Sequence, residues 1–183
     1  TVRGRPLSDP AFEPVFNRMD ELDVPAFVHP SYNCLSEELG PEEWMLNPMI
    51  MFPTETTFQV SRLIFAGFFD DHDFDLVVAH LGGARLKTGQ RIGRERFDED
   101  TPVNLPERPV ASYLEDLYYD VIAHHPPSIR AAVDTIGGTD HLMFGTDYPF
   151  EAEDAAGTIE DLEALGIDDD AVYGGNAARV FDL

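Results

Sequence analysis

The chain has 183 residues, of which 43% are hydrophobic and 11% aromatic, which is enough for one sizeable core and excludes an acidic disordered segment. Twelve lysines and arginines stand against 35 aspartates and glutamates, giving a formal net charge of −23. Nucleic acid and anionic membranes require a cationic surface, so both are excluded as expected partners. A small molecule remains the expected ligand.

The acidity also bears on the cellular setting. Lys87 is the only lysine, and this pattern resembles cytosolic proteins of salt-accumulating halophiles, whose charges are screened over about 3 Å near 1 M salt. An ordinary acidic protein is the alternative. Cys34 is the only cysteine, so no intramolecular disulfide can form and a reducing, cytoplasmic location is expected. No apolar run approaches the ~18 residues of a membrane span.

The first predicted elements are a helix and a strand. Asp9 is placed to cap a helix, and VPAFVHP predicts a strand that ends on His29. The helix carries apolar residues at helical spacing: Phe12, Val15, Phe16 and Met19. Residues 31–53 are predicted to form a long connection that includes Trp44.

The same unit then repeats. Thr54 is predicted to cap a second helix, and FDLVVAH predicts a strand that ends on His80. The apolar residues of this helix are Phe58, Val60, Leu63, Ile64 and Phe68. The polar segment after His80 is predicted as a loop, a short helix and a second loop.

The remaining chain predicts two more strands and three helices. A third strand spans about Leu117 to Ile122, and HLMFGTD supplies a fourth strand ahead of Asp147. PPSIRAAVDTIGG has proline at its start and glycine at its end, which is typical of a helix, and TIEDLEALGI and GGNAARVF predict terminal helices. Strands alternating with helices predict an α/β fold with four parallel strands.

Three of the four predicted strands end on a side chain that can bind a metal or exchange a proton: His29, His80 and Asp147. Reactive side chains of parallel sheets collect at the carboxyl ends of the strands. Each residue alone is more often a hydrogen-bonded loop anchor, and Asp147 could instead begin a turn. Three such residues at equivalent positions favour a functional site.

The three residue types fit metal chemistry. Imidazole and carboxylate are the usual ligands of a catalytic divalent metal that activates a water molecule, and His29 and Asp147 suit that role. Zinc is the expected metal, with manganese as the alternative. His80 precedes Gly82 and Gly83, whose backbone could approach a ligand closely, and it is better placed as a general acid or base.

The motifs FVHP, PTET, VVAHLGG, YYD, FGTDYPF and GGNAARVF, in this order and spacing, resemble the carboxyl-terminal half of the metal-dependent amidohydrolase superfamily. The branch containing aminocarboxymuconate-semialdehyde decarboxylase is the most similar. The resemblance implies that residues 1–183 form about strands 5 to 8 of a TIM-type (β/α)8 barrel whose amino-terminal half is absent. It also implies that His29 binds metal, that His80 is catalytic and that Asp147 does both.

One departure from the family is the missing His-x-His pair of the first barrel strand, which would supply two further metal ligands. His124 and His125 are a poor substitute, because neighbouring strand residues point to opposite faces. A half-barrel also leaves sheet edges unpaired. We therefore expect a homo-oligomer or a complementing amino-terminal half as partner.

Two functions remain open at this point. The first is a metal-dependent hydrolase or decarboxylase that acts on a small, carboxylate-bearing substrate through metal-activated water. The second is a catalytically silent half-barrel that serves as a scaffold or assembly partner, which the missing ligands favour. A phosphate-binding barrel is a weak third reading, since no glycine-rich loop has a matching basic partner.

Four further residues are candidates for substrate binding. Arg85, Arg91 and Arg94 follow His80 in a chain otherwise poor in positive charge, and arginine matches a carboxylate in a bidentate manner. Their alternative role is pairing with surface acids. Trp44 is predicted to act as a lid or wall over the strand ends, with packing on the outer helices as the alternative.

Overall fold

The computed structural model describes residues 1–30, 43–84, 106–150 and 154–183, and its described part contains a four-stranded parallel sheet with neighbouring strands in chain order. The strands are β1 (Ala26–Val28), β2 (Leu76–Val78), β3 (Tyr118–Asp120) and β4 (Leu142–Met143). The helices are α1 (Glu13–Leu22), α2 (Phe52–Phe65), α3 (Phe68–Asp71), α4 (Val110–Asp116), α5 (Pro126–Ile136), α6 (Ala155–Leu165) and α7 (Asn176–Phe181). The predicted α/β fold is confirmed.

The main core lies between the outer face of the sheet and the helices. Val78 of β2 is paired in register with Val28 of β1 and with Tyr119 of β3, which places the three side chains on one face. Val78 and Tyr119 are buried together with Ile64 of α2 and other residues of the helices. Burying an aliphatic side chain such as Val78 contributes about 1.5–3 kcal/mol, so this layer stabilises the packing of the sheet on the helices.

The inner face of the sheet is covered at one end by α7. Val77, Tyr118 and Met143 of the sheet form a separate buried cluster with Val180 of α7. The Asn176 side-chain amide donates hydrogen bonds to the carbonyls of Thr139, at 2.9 Å, and of Leu142, at 2.7 Å. Both carbonyls lie at the start of β4.

Arg179 makes a third contact of this kind, from its Nη2 to the carbonyl of Asp140 at 2.7 Å. All of these acceptors precede or begin β4, at the amino-terminal end of the sheet. Helix α7 therefore closes the amino-terminal end of the sheet and leaves the carboxyl ends of the strands open.

Several local expectations need correction. Val15 is 55% exposed and Phe58 is 53% exposed, because each lies on a helix face that the described residues do not cover. Thr54 does not cap α2, since its hydroxyl donates to the carbonyl of Ile50 within continuous helical geometry. The described part of the predicted connection, from residue 43, is helical, with turns at Glu43–Met45 and Asn47–Met51 before α2 begins.

Other expectations are met or lie outside the described residues. Asp9 accepts a hydrogen bond from the Ala11 amide and caps a short 3-10 turn that leads into α1. Helix α5 begins at Pro126 and ends at Gly137 in the left-handed conformation, as predicted. Helix α4 was not predicted, and the short helix expected after His80 falls in residues 85–105. No helix among the described segments is long and apolar enough to cross a membrane.

Candidate metal centre

The fold brings together the three side chains selected at the strand ends. The Nε2 atom of His29 lies 3.4 Å from Oδ1 of Asp147, and Nε2 of His80 lies 3.7 Å from Oδ2 of the same carboxylate. One potential ligand atom from each residue lies within 4.8 Å of the other two. Asp147 is thus placed between two imidazoles, and its carbonyl also accepts the Phe150 amide at 3.0 Å, so the turn considered for it is present as well.

Each side chain reaches the site from a different element. His29 directly follows β1, His80 lies two residues beyond β2, and Asp147 lies four residues beyond β4. The two imidazole centroids are 5.0 Å apart with an angle of 56° between the ring planes. The side chain of His80 is 13% exposed and that of His29 is 35% exposed, so the site opens on the His29 side.

His80 is held on a strained turn by a buried carboxylate. His80 and Leu81 both have left-handed backbone conformations, with φ of 55° and 52°, which costs roughly 1–2 kcal/mol per residue without glycine. Asp120 of β3 accepts the amide hydrogens of His80, Leu81 and Ile122, at 2.9, 2.9 and 3.0 Å. Asp120 therefore fixes the backbone that carries His80.

Sequence analysis did not select Asp120 as a site residue. The signal available was a carboxylate at the end of the apolar strand YYD, a position where an unpaired acid would be costly. Burial raises the pKa of Asp120 to about 6, although the three amide hydrogen bonds act to lower it and the charge of Asp147 adds to the rise.

The electrostatics of His80 favour the neutral imidazole. Burial lowers its pKa, and the charge of the Asp147 carboxylate opposes this shift without cancelling it. The Nδ1 atom of His80 is buried and has no hydrogen-bond partner among the described residues. A neutral imidazole with a free ring nitrogen can act as a ligand, as a base or as a proton carrier.

The turn after His80 is packed against α2. A Cβ atom on Gly83 would lie 2.3 Å from the carbonyl oxygen of Pro53 and 2.7 Å from Oγ1 of Thr57. The amide of Ala84 donates to the same Thr57 hydroxyl at 2.8 Å. The backbone at Gly83 therefore lies close to helix α2. A close approach to a ligand was the prediction from the sequence.

The donor set fits a divalent metal. Two imidazoles and one carboxylate within 4.8 Å are the nitrogen and oxygen ligands of catalytic zinc and related transition metals, which keep further positions open. Phe150 lies parallel to His29, with centroids 6.4 Å apart and an angle of 12° between the rings. An aromatic surface thus borders the site.

Two of the other residues considered, Trp44 and His125, lie in the described part of the chain. Trp44 is 81% exposed in the turn before α2, so it does not pack on the outer helices, and its role as a substrate wall stays a prediction. Arg85, Arg91 and Arg94 lie outside the described residues. His125 binds the hydroxyl of Ser128 through Nδ1 at 2.8 Å, consistent with the loop role expected for it.

The whole chain, residues 1–183, matches the amidohydrolase family. It is 29% identical over 182 residues to gamma-resorcylate decarboxylase of Rhodococcus jostii (strain RHA1), covering 95% of this chain and 55% of that protein. It is 26% identical over 156 residues to 2-amino-3-carboxymuconate-6-semialdehyde decarboxylase of Dictyostelium discoideum, covering 81% of this chain and 41% of that protein.

A solved structure extends the comparison. The chain superposes with a TM-score of 0.83 and 25% identity on a dihydroxybenzoic acid decarboxylase from Polaromonas sp. JS666 with bound manganese and the inhibitor 2-nitroresorcinol, covering 97% of this chain and 55% of that one. The chain thus spans about half the length of the relatives it matches. The predicted family and the predicted half of a TIM-type barrel are confirmed.

Proposed function

We propose that this chain, which belongs to the amidohydrolase family, supplies the metal ligands and the proton-transfer pair of a metal-dependent decarboxylase acting on a small hydroxylated aromatic carboxylate. The observation that carries the proposal is the convergence of His29, His80 and Asp147 at the open end of the sheet. The decarboxylases among the relatives support this reaction over hydrolysis.

A divalent metal belongs to the proposal. His29 and Asp147 would hold it, with His80 near enough to join them. The manganese of the Polaromonas structure supports manganese, and zinc is the alternative that the donor set also fits. When bound, the metal would supply positive charge for the carboxylate and hydroxyl of the substrate.

The residues of the chain can carry the proton that the reaction needs. In decarboxylation the bond between the ring carbon and the carboxylate breaks, its electron pair stays on the ring carbon, a proton adds there and carbon dioxide leaves. His80 can carry that proton on Nε2 and Asp147 can carry it on its carboxylate, and the facing atoms Nε2 and Oδ2 are 3.7 Å apart. Because burial lowers the pKa of His80, its protonated form gives up the proton readily.

The surroundings of the site suit a flat substrate. Phe27 and Phe150 both lie near the ring of His29, with centroids 6.5 and 6.4 Å away. Phe150 is 57% exposed and Phe27 is 49% exposed, so both rings have surface free for stacking. An aromatic ring entering beside His29 would meet apolar faces.

The activity test uses a barrel made by joining this chain to the amino-terminal portion of the Rhodococcus jostii enzyme that it does not match. With manganese or zinc supplied, we expect carbon dioxide from 2,6-dihydroxybenzoate and no cleavage of anilides or lactones. Hydrolysis of an anilide or lactone without carbon dioxide release would replace decarboxylation by hydrolysis as the function.

The metal test uses three variants of the same barrel. His29→Ala and Asp147→Ala should each weaken metal binding by at least about 100-fold, as expected for a lost ligand, whereas His125→Ala should leave it unchanged. Metal content after dialysis without chelator is the measurement. A chain that retains no metal in any setting would favour the silent scaffold instead.

A further inference from the structure

Gly145 lies where the chain leaves β4 and turns toward the candidate metal centre. It is the second residue after the strand and precedes Asp147 by two positions. Its φ lies outside the left-handed region, so any residue could adopt this backbone conformation. The reason for a glycine here is therefore found in the atoms around it and not in its backbone angles.

Two side chains occupy the space that a side chain of residue 145 would need. A Cβ atom on Gly145 would lie 3.3 Å from Cδ1 of Ile122 and 3.4 Å from Cβ of Asp120. Carbon atoms in contact are optimally about 3.5–4.0 Å apart, so both contacts would be too close. The end of the half-buried Ile122 side chain can move aside. Asp120 cannot, because it is 3% exposed and its carboxylate accepts three amide hydrogen bonds.

The backbone at Gly145 is anchored on both sides. The amide of Phe144 donates to the carbonyl of Val172 at 2.8 Å, which ties the end of β4 to the segment before α7. The carbonyl of Asp147 accepts the amide of Phe150 at 3.0 Å, which holds the turn that follows. The chain at Gly145 therefore has little freedom to move away from the buried carboxylate.

Asp120 contacts both carriers of the proton-transfer pair. Its carboxylate holds the backbone amide of His80 at 2.9 Å, and its Cβ faces Gly145, which leads directly to Asp147. The facing atoms of the pair, Nε2 of His80 and Oδ2 of Asp147, are 3.7 Å apart, which is longer than a hydrogen bond. Their separation is thus set by backbone contacts that meet at Asp120.

We propose that Gly145 is a positioning residue of this site: its lack of a side chain lets the end of β4 pass against Asp120 and so sets the separation of His80 and Asp147. The catalytic consequence rests on the proposed function. The geometric part, in which residue 145 controls the turn at His80 through Asp120, rests on the contacts alone.

The first experiment measures the turn at His80 directly, in the joined barrel without metal. Gly145→Ala and Gly145→Val add a methyl and an isopropyl group, and amide hydrogen exchange is followed residue by residue by NMR. Exchange at His80 and Leu81 should be about 10-fold faster in the valine variant, the effect of roughly one lost hydrogen bond, and the alanine variant should lie between. Exchange at residues 76–78 should stay unchanged.

A second substitution tests the direction of the push. Ile122→Val removes the Cδ1 atom, so the methyl group of Gly145→Ala gains space away from Asp120. The double variant should therefore exchange at His80 nearly as slowly as the unchanged barrel. Gly174→Ala is the matched control, because Gly174 is exposed and no described atom lies within 4 Å of its Cβ position. Its exchange should not change.

The second experiment measures catalysis in the same variants with metal supplied. Gly145→Val should lower the kcat of decarboxylation about 10-fold and leave KM and the metal content unchanged, because a misplaced proton carrier affects the chemical step. Gly145→Ala should show a smaller loss that Ile122→Val restores. Circular dichroism shows which variants fold, and the alanine variant decides if the valine variant does not.

Four outcomes would overturn the proposal: unchanged exchange at His80 and Leu81, equally faster exchange at residues 76–78, no recovery with Ile122→Val, or a normal kcat despite faster exchange. Loss of metal would also overturn it, since Gly145 would then act on Asp147 directly. A joined barrel that releases no carbon dioxide would refute the proposed function instead, and the exchange data would still decide whether Gly145 controls the turn.

Discussion

Two buried histidines of this chain have opposite surroundings. The side chain of His72 is 3% exposed, its Nδ1 atom contacts the carboxylate of Asp20, and its Nε2 atom lies 3.4 Å from Oε1 of Glu13. The ring of Phe68 packs on it at a centroid distance of 4.5 Å. His80 is 13% exposed, and its Nδ1 atom has no partner among the described residues.

The difference is the one expected between a structural histidine and the proton carrier proposed for His80. Both ring nitrogens of His72 are used, and the residue joins α1 to the segment before β2 through Asp20 and Glu13. Among the described residues, Nδ1 of His80 has no partner and Nε2 faces only the candidate site residue Asp147. The position of His80 depends on backbone contacts to Asp120. Stability should therefore depend on His72 and chemistry on His80.

The largest expected effect concerns His80 in the joined barrel. His80→Ala should lower decarboxylation by about 10³-fold, the typical loss for a missing acid or base, while metal stays bound and the melting temperature changes little. His125→Ala, which removes an exposed loop histidine, is the control. If the variant loses its metal instead, then His80 is a ligand and the division of roles among the three site residues is wrong.

The second effect concerns His72. Replacing it with alanine removes two carboxylate contacts and opens space beside Phe68, so the free energy of unfolding should fall by about 3 kcal/mol. Urea unfolding of the chain measures this. The activity per folded molecule of the joined barrel should not change. If the fully folded variant lost turnover, His72 would not be purely structural and its difference from His80 would not hold.

A third test addresses how His80 is held. Asp120→Asn keeps the shape of the side chain but turns an amide donor toward amide hydrogens that Asp120 now accepts, so stability should fall by about 2 kcal/mol. Turnover should fall with it, and the metal content should remain. Asp134→Asn, at an exposed position of α5, is the control. Normal turnover in the Asp120 variant would remove the positioning role.

The smallest effect is a pH dependence at the structural histidine. Burial raises the pKa of Asp20, but hydrogen bonds from His72 and the Asp73 amide outweigh this, and the net pKa lies below its usual value. This stabilisation is present above about pH 4 and is lost as the pH falls through the lowered pKa. Because the carboxylate is partly exposed, its contribution should stay below about 1 kcal/mol.

The measurement compares unfolding free energies of the native chain and Asp20→Asn between pH 3 and pH 7, values chosen to bracket the ordinary carboxylate pKa of about 4. The two should differ at the upper end and converge at the lower end. A difference that persists undiminished in acid would show that Asp20 stabilises the fold without its charge.

The fold and the convergence of three candidate residues could be predicted because both follow from local patterns. Apolar runs bounded by glycine and proline mark the strands, and parallel pairing places the strand ends together, so His29, His80 and Asp147 had to meet. Val15 and Phe58 show that the burial of apolar helix residues is harder to predict. Helical spacing identifies apolar residues but does not say which helix face has a neighbour.

Asp120 and His72 were missed for a different reason. The contacts of Asp120 with the turn at His80 span about forty positions of sequence and exist only once β2 and β3 are paired. His72 lies between two aspartates in a stretch that reads as a polar loop, yet Phe16 and Phe68 enclose its ring. Long-range contacts of single residues leave no periodic signal in the sequence.

The closure of the sheet by α7 bears on how substrate could enter the site and how products could leave it. Val180 of this helix buries Val77, Tyr118 and Met143, so the interior of the sheet is sealed at its amino-terminal end. In the proposed decarboxylase the substrate would enter, and carbon dioxide and the phenol product would leave, past the mouth beside His29. Substrate and both products would then share the open end of the sheet, so a phenol product still bound there would compete with the next substrate.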